Sequence, residues 1–273
     1  MADRYAVMGN PVAHSKSPRI HAQFARETGQ DLVYETLLVE PGHFADAVKG
    51  FFAAGGKGLN ITVPFKQEAW ALAARHSQQA ALAGAVNTMF CDESGQLQGH
   101  NTDGIGLVRD ILRNHGGVLA GKSVLILGAG GATRGILLPI LQEKPMAICI
   151  ANRTVSKAQE LAQLFSPYGK VSACGFDSLS GQQFDWVINA TAASLQGELP
   201  PLPAGLLKDG AWCYDLMYSK DATVFCQWAR RQGAQQSLDG LGMLVEQAAE
   251  AFLLWRGVRP TTTGVLAALR AGG

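Results

Sequence analysis

Residues 123–157 constrain the fold of this chain more tightly than any other stretch. Ser123, Val124, Leu125, Ile126 and Leu127 make an apolar run of strand length, and Gly128, Ala129, Gly130, Gly131 and Ala132 follow it directly. A buried strand that turns through glycines into a helix leaves the first N–H groups of that helix without intrahelical acceptors, so the turn is a ready anion site. A second apolar run, 147–151, arrives at the spacing of a strand–helix–strand crossover, which joins parallel strands. The sequence therefore predicts a βαβ unit of the kind that holds the pyrophosphate of a dinucleotide. Thr133 stands where the common fingerprint of such units has its third glycine, so the turn taken alone is also compatible with a tight structural corner.

The end of the second strand changes the balance. Asn152, Arg153 and Thr154 occupy the place, about 20 residues beyond the glycines, where NAD-binding units put a carboxylate for the ribose. No carboxylate is present there. A guanidinium can hold an adenosine 2′-phosphate through paired charge-assisted hydrogen bonds, and Lys157 is expected on the same helical face as Arg153. Either residue alone would read as part of a solvated face. Together, after this strand, they predict NADP over NAD and hence an oxidoreductase.

Apolar runs continue the βα rhythm at 171–174, 186–190 and 212–215, and an earlier series at 5–8, 33–39 and 58–62 has helical patterns after each run. The polar, glycine-containing segment 93–101 is expected to be a hairpin or connection, 103–114 a helix, and Gly116-Gly117 a break. Residues 240–255 have apolar spacing of helical period, and a short helix is expected from Gly264 after Pro260. A length of 273 residues favours two domains. The expected class is α/β. An α/β substrate domain would comprise 1–102 and 239–273, the C-terminal helices returning to it, and a Rossmann-like doubly wound parallel sheet for NADP would comprise 103–238.

Composition narrows the partners. With 47% hydrophobic and 16% charged residues the chain reads as globular, and no apolar run reaches the roughly 18 residues that a membrane-spanning helix requires. The first residues lead straight into an apolar strand without a cleavage-site pattern, so a cytoplasmic location is expected. A net charge of +1 without a Lys/Arg cluster argues against nucleic acid and for a small ligand. Five cysteines far apart suit reduced thiols, and six histidines lack ligand spacing, so no metal is expected.

The first domain carries a dense polar set: Ser15, Lys16, Ser17, Asn60, Thr62, Lys66, Asn87 and Asp103. Several fall at strand ends, where parallel sheets bind ligands, and Asn60 and Thr62 are spaced to point to one side. Each also has a plain structural reading. Ser17 before Pro18 makes a good N-cap, Thr62 before Val63-Pro64 could close its strand, and Asn101-Thr102-Asp103 could simply begin a helix. Gln247 shares a helical face with Gly240 and Met243, which suits a crevice wall or the edge of a packed stripe.

Taken in order along the chain, these residues resemble the shikimate dehydrogenase family. The matching strings are Gly9-Asn10-Pro11, Ser15-Lys16-Ser17-Pro18, Asn60-Ile-Thr62-Val-Pro64-Phe-Lys66, Ala83-Gly84-Ala85-Val86-Asn87-Thr88 and Gly99-His-Asn101-Thr-Asp103-Gly104. The glycine turn, Asn152-Arg153-Thr154 and Gly240-Leu-Gly-Met243-Leu-Val-Glu-Gln247 complete the series, so the likeness covers nearly the whole chain. It implies a reversible reduction of 3-dehydroshikimate to shikimate by NADPH in aromatic amino acid biosynthesis, with Lys66 and Asp103 as the catalytic pair. Ser15 and Ser17, helped by Tyr218, would bind the substrate carboxylate, and Asn60, Thr62, Asn87, Asp103 and Gln247 the ring hydroxyls. Gly128 to Ala132, Asn152, Arg153, Thr154, Lys157, Thr191, Leu216, Gly240 and Met243 would hold the cofactor, and a homodimer is a family expectation. The chain departs from the pattern at Ala192-Ala193-Ser194, where the family often has Ser or Pro and then a nearby Gly. The rivals are a quinate or dual quinate/shikimate dehydrogenase, disfavoured by Arg153, and a non-catalytic NADP sensor, which needs no Lys66–Asp103 pair.

Overall fold

A computed structural model of the chain describes residues 2–272. It divides into two compact units, one running to Gly106 and including Leu244–Gly272, the other being Leu107–Met243.

In the first unit, β1 (Asp3–Gly9), α1 (Ser17–Thr28), β2 (Leu32–Leu38), α2 (Phe44–Ala53) and β3 (Gly56–Ile61) set up a parallel core. α3 (Lys66–Leu72), β4 (Arg75–His76), α4 (Gln78–Ala83), β5 (Thr88–Cys91), β6 (Leu97–His100) and α5 (Asp103–Arg109) follow. The sheet order is β2-β1-β3-β5-β6-β4, with β1 parallel to β2 and β3, and β5 antiparallel to both β3 and β6. Tyr5, Ala6, Val7 and Met8 are all buried, as a central strand covered on both faces requires. The hairpin or connection expected at 93–101 is the turn and second arm of the β5–β6 hairpin. Ser17 is not the N-cap of α1. It is the first helical residue, Lys16 holds the cap position without a side-chain bond, and the Ser15 hydroxyl accepts from the Ser17 N–H at 3.3 Å.

The second unit contains β7 (Ser123–Leu127), α6 (Gly131–Gln142), β8 (Ala147–Ala151), α7 (Val155–Phe165), β9 (Val171–Cys174), β10 (Phe184–Asn189), β11 (Leu207–Asp215), α8 (Val224–Arg231) and β12 (Gln236–Leu238). All neighbours in the order β12-β11-β10-β7-β8-β9 pair in parallel. Counted from β7 this is the order 3-2-1-4-5-6 of a doubly wound dinucleotide-binding sheet. All five residues of β7 are buried, and Leu125, Val187, Cys213 and Phe225 lie in one apolar cluster. Full burial of a side chain such as Phe225 is worth about 1.5–3 kcal/mol.

The chain returns to the first unit through α9 (Leu241–Arg256) and ends in α10 (Thr263–Ala271), which packs on α1. Within the first unit Trp255 Nε1 donates to the Met89 carbonyl, and Arg256 reaches Asp3, Tyr5 and Gln30. The expected helix at 103–114 is α5 followed by a π turn at Asp110–Asn114, which periodicity did not foretell. Among the described residues no helix is long and apolar enough to cross a membrane, and no cluster of three or more His, Cys, Asp or Glu could hold a metal.

Candidate active site

Lys66 opens α3 and Asp103 opens α5. Helix starts of this sort put the side chain at an element edge, while the backbone behind it is fixed; the Lys66 carbonyl accepts from Val86 N–H at 2.8 Å. The Lys66 ammonium donates to Asp103 Oδ2 at 2.6 Å, with the two side chains 31% and 19% exposed. The pair is therefore both partnered and reachable. Asp103 Oδ1 accepts from Asn87 Nδ2 at 2.8 Å, so both carboxylate oxygens are held. Asn87 is buried and acts as a hub, its Oδ1 accepting from Thr102 N–H at 2.9 Å and from the Thr88 hydroxyl at 2.9 Å. Gln247 joins from α9, its Oε1 accepting from the Thr102 hydroxyl at 3.3 Å and from Asn87 Nδ2 at 3.4 Å, while its Nε2 donates to the Leu244 carbonyl.

Asn60 is more committed to the protein than its residue type suggests. Its Oδ1 accepts from the Tyr34 hydroxyl at 2.7 Å, and its Nδ2 donates to the Asn87 carbonyl and to Thr88 Oγ1, both at 3.2 Å. Tyr34 stacks on His21 with ring centroids 4.2 Å apart. Burial among Tyr34, Phe24, Phe252 and Trp255 pushes the His21 pKa down to about 3, against a smaller raising effect of the Asn60 side chain. Thr62 lies half-buried just beyond β3, so tight against Gly9 that a Cβ on Gly9 would sit 2.3 Å from its methyl. Ser15 and Ser17 stand together at the start of α1. Tyr218 lies in the second unit, in the connection after β11, where burial raises its phenol pKa.

The glycine turn follows β7 and faces the end of β10, where the strand order reverses; crevices of this kind take the ligands of open parallel sheets. Gly128 has φ of +99°, and a Cβ there would lie 3.0 Å from the Thr191 methyl. Cβ atoms on Gly130 or Gly131 would meet nothing within 4 Å. α6 begins with Gly130 as cap, without a side-chain bond to its N–H groups and with no acidic residue in its first turn. Open space, free N–H donors and a positive helix end fit the pyrophosphate of NADP. Thr133 is buried and its hydroxyl donates to the Gly128 carbonyl at 2.8 Å, so it closes the turn from inside. Asn152 Nδ2 donates to the Thr154 carbonyl, and Arg153, Thr154 and Lys157 are exposed. α7 starts only at Val155, so Arg153 lies in the connection before it and the expected helical-face relation with Lys157 does not apply. Arg153 still closely follows the end of β8, and Lys157 lies in the first turn of α7.

Two features were missed at the level of sequence. Asp215, at the end of β11, is fully buried and accepts from Thr223 Oγ1 at 2.6 Å, Ser194 Oγ at 2.7 Å, Asn189 Nδ2 at 3.0 Å and Met217 N–H at 3.1 Å. Burial raises its pKa against the lowering effect of these donors. Thus Ser194, in the loop that departs from the family pattern, is tied to the same carboxylate that sets the backbone at Leu216 and Met217. Thr191 bonds to Asn189 Oδ1 through both its N–H and its hydroxyl. Gly240 lies so close to Leu216 that a Cβ would stand 2.1 Å from that carbonyl oxygen. Neither Asp215 nor Thr102 is marked by spacing; only their positions at a strand end and before a helix start could have drawn notice.

Known proteins match the chain in both units. Residues 7–89 match the model of the shikimate dehydrogenase substrate binding domain, 110–196 that of shikimate / quinate 5-dehydrogenase, and 240–270 that of the shikimate 5'-dehydrogenase C-terminal domain. A protein of Alkalilimnicola ehrlichii named shikimate dehydrogenase (NADP(+)) is 58% identical over 99% of both chains. The crystal structure of an Ael1 enzyme from Pseudomonas putida superposes with a TM-score of 0.93 at 47% identity, covering 98% of each chain. Shikimate 5-dehydrogenase from Thermus thermophilus, in complex with NADP(H) and shikimate, gives 0.86 at 33% identity over 99% of this chain and 100% of that one. With a doubly wound sheet, a bonded lysine–aspartate pair and identity of this extent along its whole length, the chain belongs to the shikimate dehydrogenase family.

Proposed function

We propose that this chain is an NADP-dependent shikimate dehydrogenase, reducing 3-dehydroshikimate to shikimate and running the reverse reaction. The observation that carries the chemistry is the partly exposed Lys66 ammonium bonded at 2.6 Å to Asp103. Reduction of a ketone puts negative charge on its oxygen, which an ammonium can stabilise and protonate. Bound NADPH supplies the hydride. Lys66 acts as general acid in that direction, and in reverse the neutral amine accepts the hydroxyl proton. Asp103, clamped by Asn87, aims the lysine and accepts from a substrate hydroxyl.

The Ser15 and Ser17 hydroxyls, with Tyr218, hold the substrate carboxylate, and Thr62, Asn87 and Gln247 the ring hydroxyls. Asn60 serves with the one lone pair its Oδ1 retains, its amide hydrogens being engaged within the protein. The glycine turn from Gly128 to Ala132, with Thr191, binds the pyrophosphate. Asn152, Arg153, Thr154 and Lys157 bind the adenosine phosphate, and Leu216, Gly240 and Met243 border the nicotinamide. The proposed domains follow these roles, 1–102 with 239–273 for substrate and 103–238 for NADP. A cytoplasmic location and a homodimer without nucleic-acid or membrane partners complete the proposal.

The test is NADPH oxidation by purified protein with 3-dehydroshikimate, then the reverse reaction with shikimate or quinate and NADP or NAD. Preference for quinate with NAD would favour the quinate enzyme, and inactivity in every combination a sensor. Lys66→Ala should lower kcat by about 10²–10⁴ with little change in KM; near-normal turnover would remove Lys66 from the mechanism.

A further inference from the structure

One buried carboxylate in the second unit has no part in the chemistry above. Asp110 is fully buried at the start of the π turn, a type of helix distortion frequent at functional sites. Its Oδ1 accepts from Asn114 Nδ2 at 2.8 Å, with His115 Nε2 3.5 Å away. Its Oδ2 accepts from the Tyr214 hydroxyl at 2.6 Å, and the Tyr214 oxygen in turn accepts from Met243 N–H at 3.3 Å. Burial and the Asp110 charge push the Tyr214 pKa well up, so the phenol keeps its proton for this bond. Gly242 leaves the carboxylate its room, since a Cβ there would lie 2.0 Å from Asp110 Oδ1. The preceding Gly240 N–H donates to the Met217 carbonyl at 3.0 Å. Residues 240–243 are thus pinned from two sides, by Leu216-Met217 and by Asp110 with Tyr214.

We infer that Asp110 is a positioning residue for the cofactor: through the Tyr214 hydroxyl its carboxylate fixes the Gly240-Leu241-Gly242-Met243 segment against which the nicotinamide end of NADP is held. This rests on the proposal that Gly240 and Met243 border the nicotinamide. A buried carboxylate is costly unless its lone pairs are satisfied, and an apolar filler would support the fold as well. What the carboxylate adds is direction: it orders the phenol proton, which leaves the phenol oxygen aimed at the backbone N–H of Met243. The carboxylate also accounts for a glycine at 242, in the first turn of α9, where any side chain would meet Asp110.

Tyr214→Phe removes one oxygen and keeps the ring. The expected result is an NADPH KM raised about tenfold and a lower kcat, while the KM for 3-dehydroshikimate at saturating NADPH stays within about twofold. Asp110→Asn, which keeps an acceptor for the phenol proton, should lie closer to the parent than Asp110→Ala. Gly242→Ala should raise the NADPH KM by itself but add nothing in the Asp110→Ala background, because the atom it collides with is gone. A Tyr214→Phe protein that melts earlier with unchanged NADPH KM and kcat would make the network a structural buttress and overturn the inference. Met243→Ala separates the premise from the inference: if it leaves NADPH kinetics unchanged, the placement of the nicotinamide fails and the positioning role with it. If Met243→Ala acts and Tyr214→Phe does not, only the positioning role fails.

Discussion

Asn87→Ala tests the idea that one buried amide holds the lysine–aspartate pair in register. The substitution removes the acceptor of the Thr102 N–H, a residue 1% exposed, and an unsatisfied buried donor costs about 1–3 kcal/mol. It also removes the donor to Asp103 Oδ1 at 2.8 Å, but that carboxylate is 19% exposed, so water recovers part of a bond to a charged group worth about 1.5–3 kcal/mol. A total near 3 kcal/mol lowers the thermal midpoint by about 6–12 °C, at about 2–4 °C per kcal/mol for a domain of this size. Asp103, freed on one side, can rotate off Lys66, so kcat should fall about tenfold or more at saturating substrate. Scanning calorimetry and steady-state kinetics on the same preparation read both effects. Asn87→Asp sharpens the test, because it sets a second carboxylate against Asp103; its activity should recover as the pH is lowered and the two share a proton. A midpoint shift under about 2 °C with kcat within about twofold would refute the hub.

Arg153→Asp should raise the KM for NADPH strongly and narrow the NADPH/NADH preference; an unchanged preference, measured as the ratio of kcat/KM values, would sink the cofactor assignment. For His21 the folded pKa of about 3 lies below the ordinary 6.5, so between those values the unfolded chain binds the extra proton. Stability is thus full above pH 6.5 and is lost on acidification, by about 2 kcal/mol from pH 6.5 to 5. His21→Phe should flatten this part of the pH–stability curve, read by urea unfolding; an unaltered slope would assign the acid sensitivity elsewhere. Gly240→Ala puts a Cβ 2.1 Å from the Leu216 carbonyl oxygen and should weaken NADPH binding by calorimetry more than shikimate binding.

The parallel strands of the second unit were readable because a buried sheet writes near-continuous apolar runs, as at Ser123–Leu127 and Ala147–Ala151. Edges were less so: β12 (Gln236–Leu238) and the two-residue β4 have too few side chains to make a pattern. The polar set around Lys66 and Asp103 stood out by residue type and order, but not how its hydrogen bonds are shared. Asn60 reads as a free amide in sequence, and only the fold brings Tyr34, Thr88 and the Asn87 carbonyl to it. The π turn at Asp110 is equally silent, since the bond its first residue accepts comes from Tyr214, far along the chain, and leaves no mark on local periodicity. Thr133 is the opposite case, a departure from the glycine pattern that a single side-chain bond makes harmless.

Asp215 changes how the loop after β10 should be treated by anyone remodelling cofactor preference. Because the Ser194 hydroxyl and the Asn189 amide both end on a carboxylate supplied by the neighbouring strand, the loop's conformation is stored outside the loop. Transplanting residues 191–197 between relatives would carry the sequence without its mould, whereas a graft that moves Asn189, Ser194, Asp215 and Thr223 together transfers the shape. Libraries that vary Ala192 and Ala193 while keeping Ser194 should be rich in folded members.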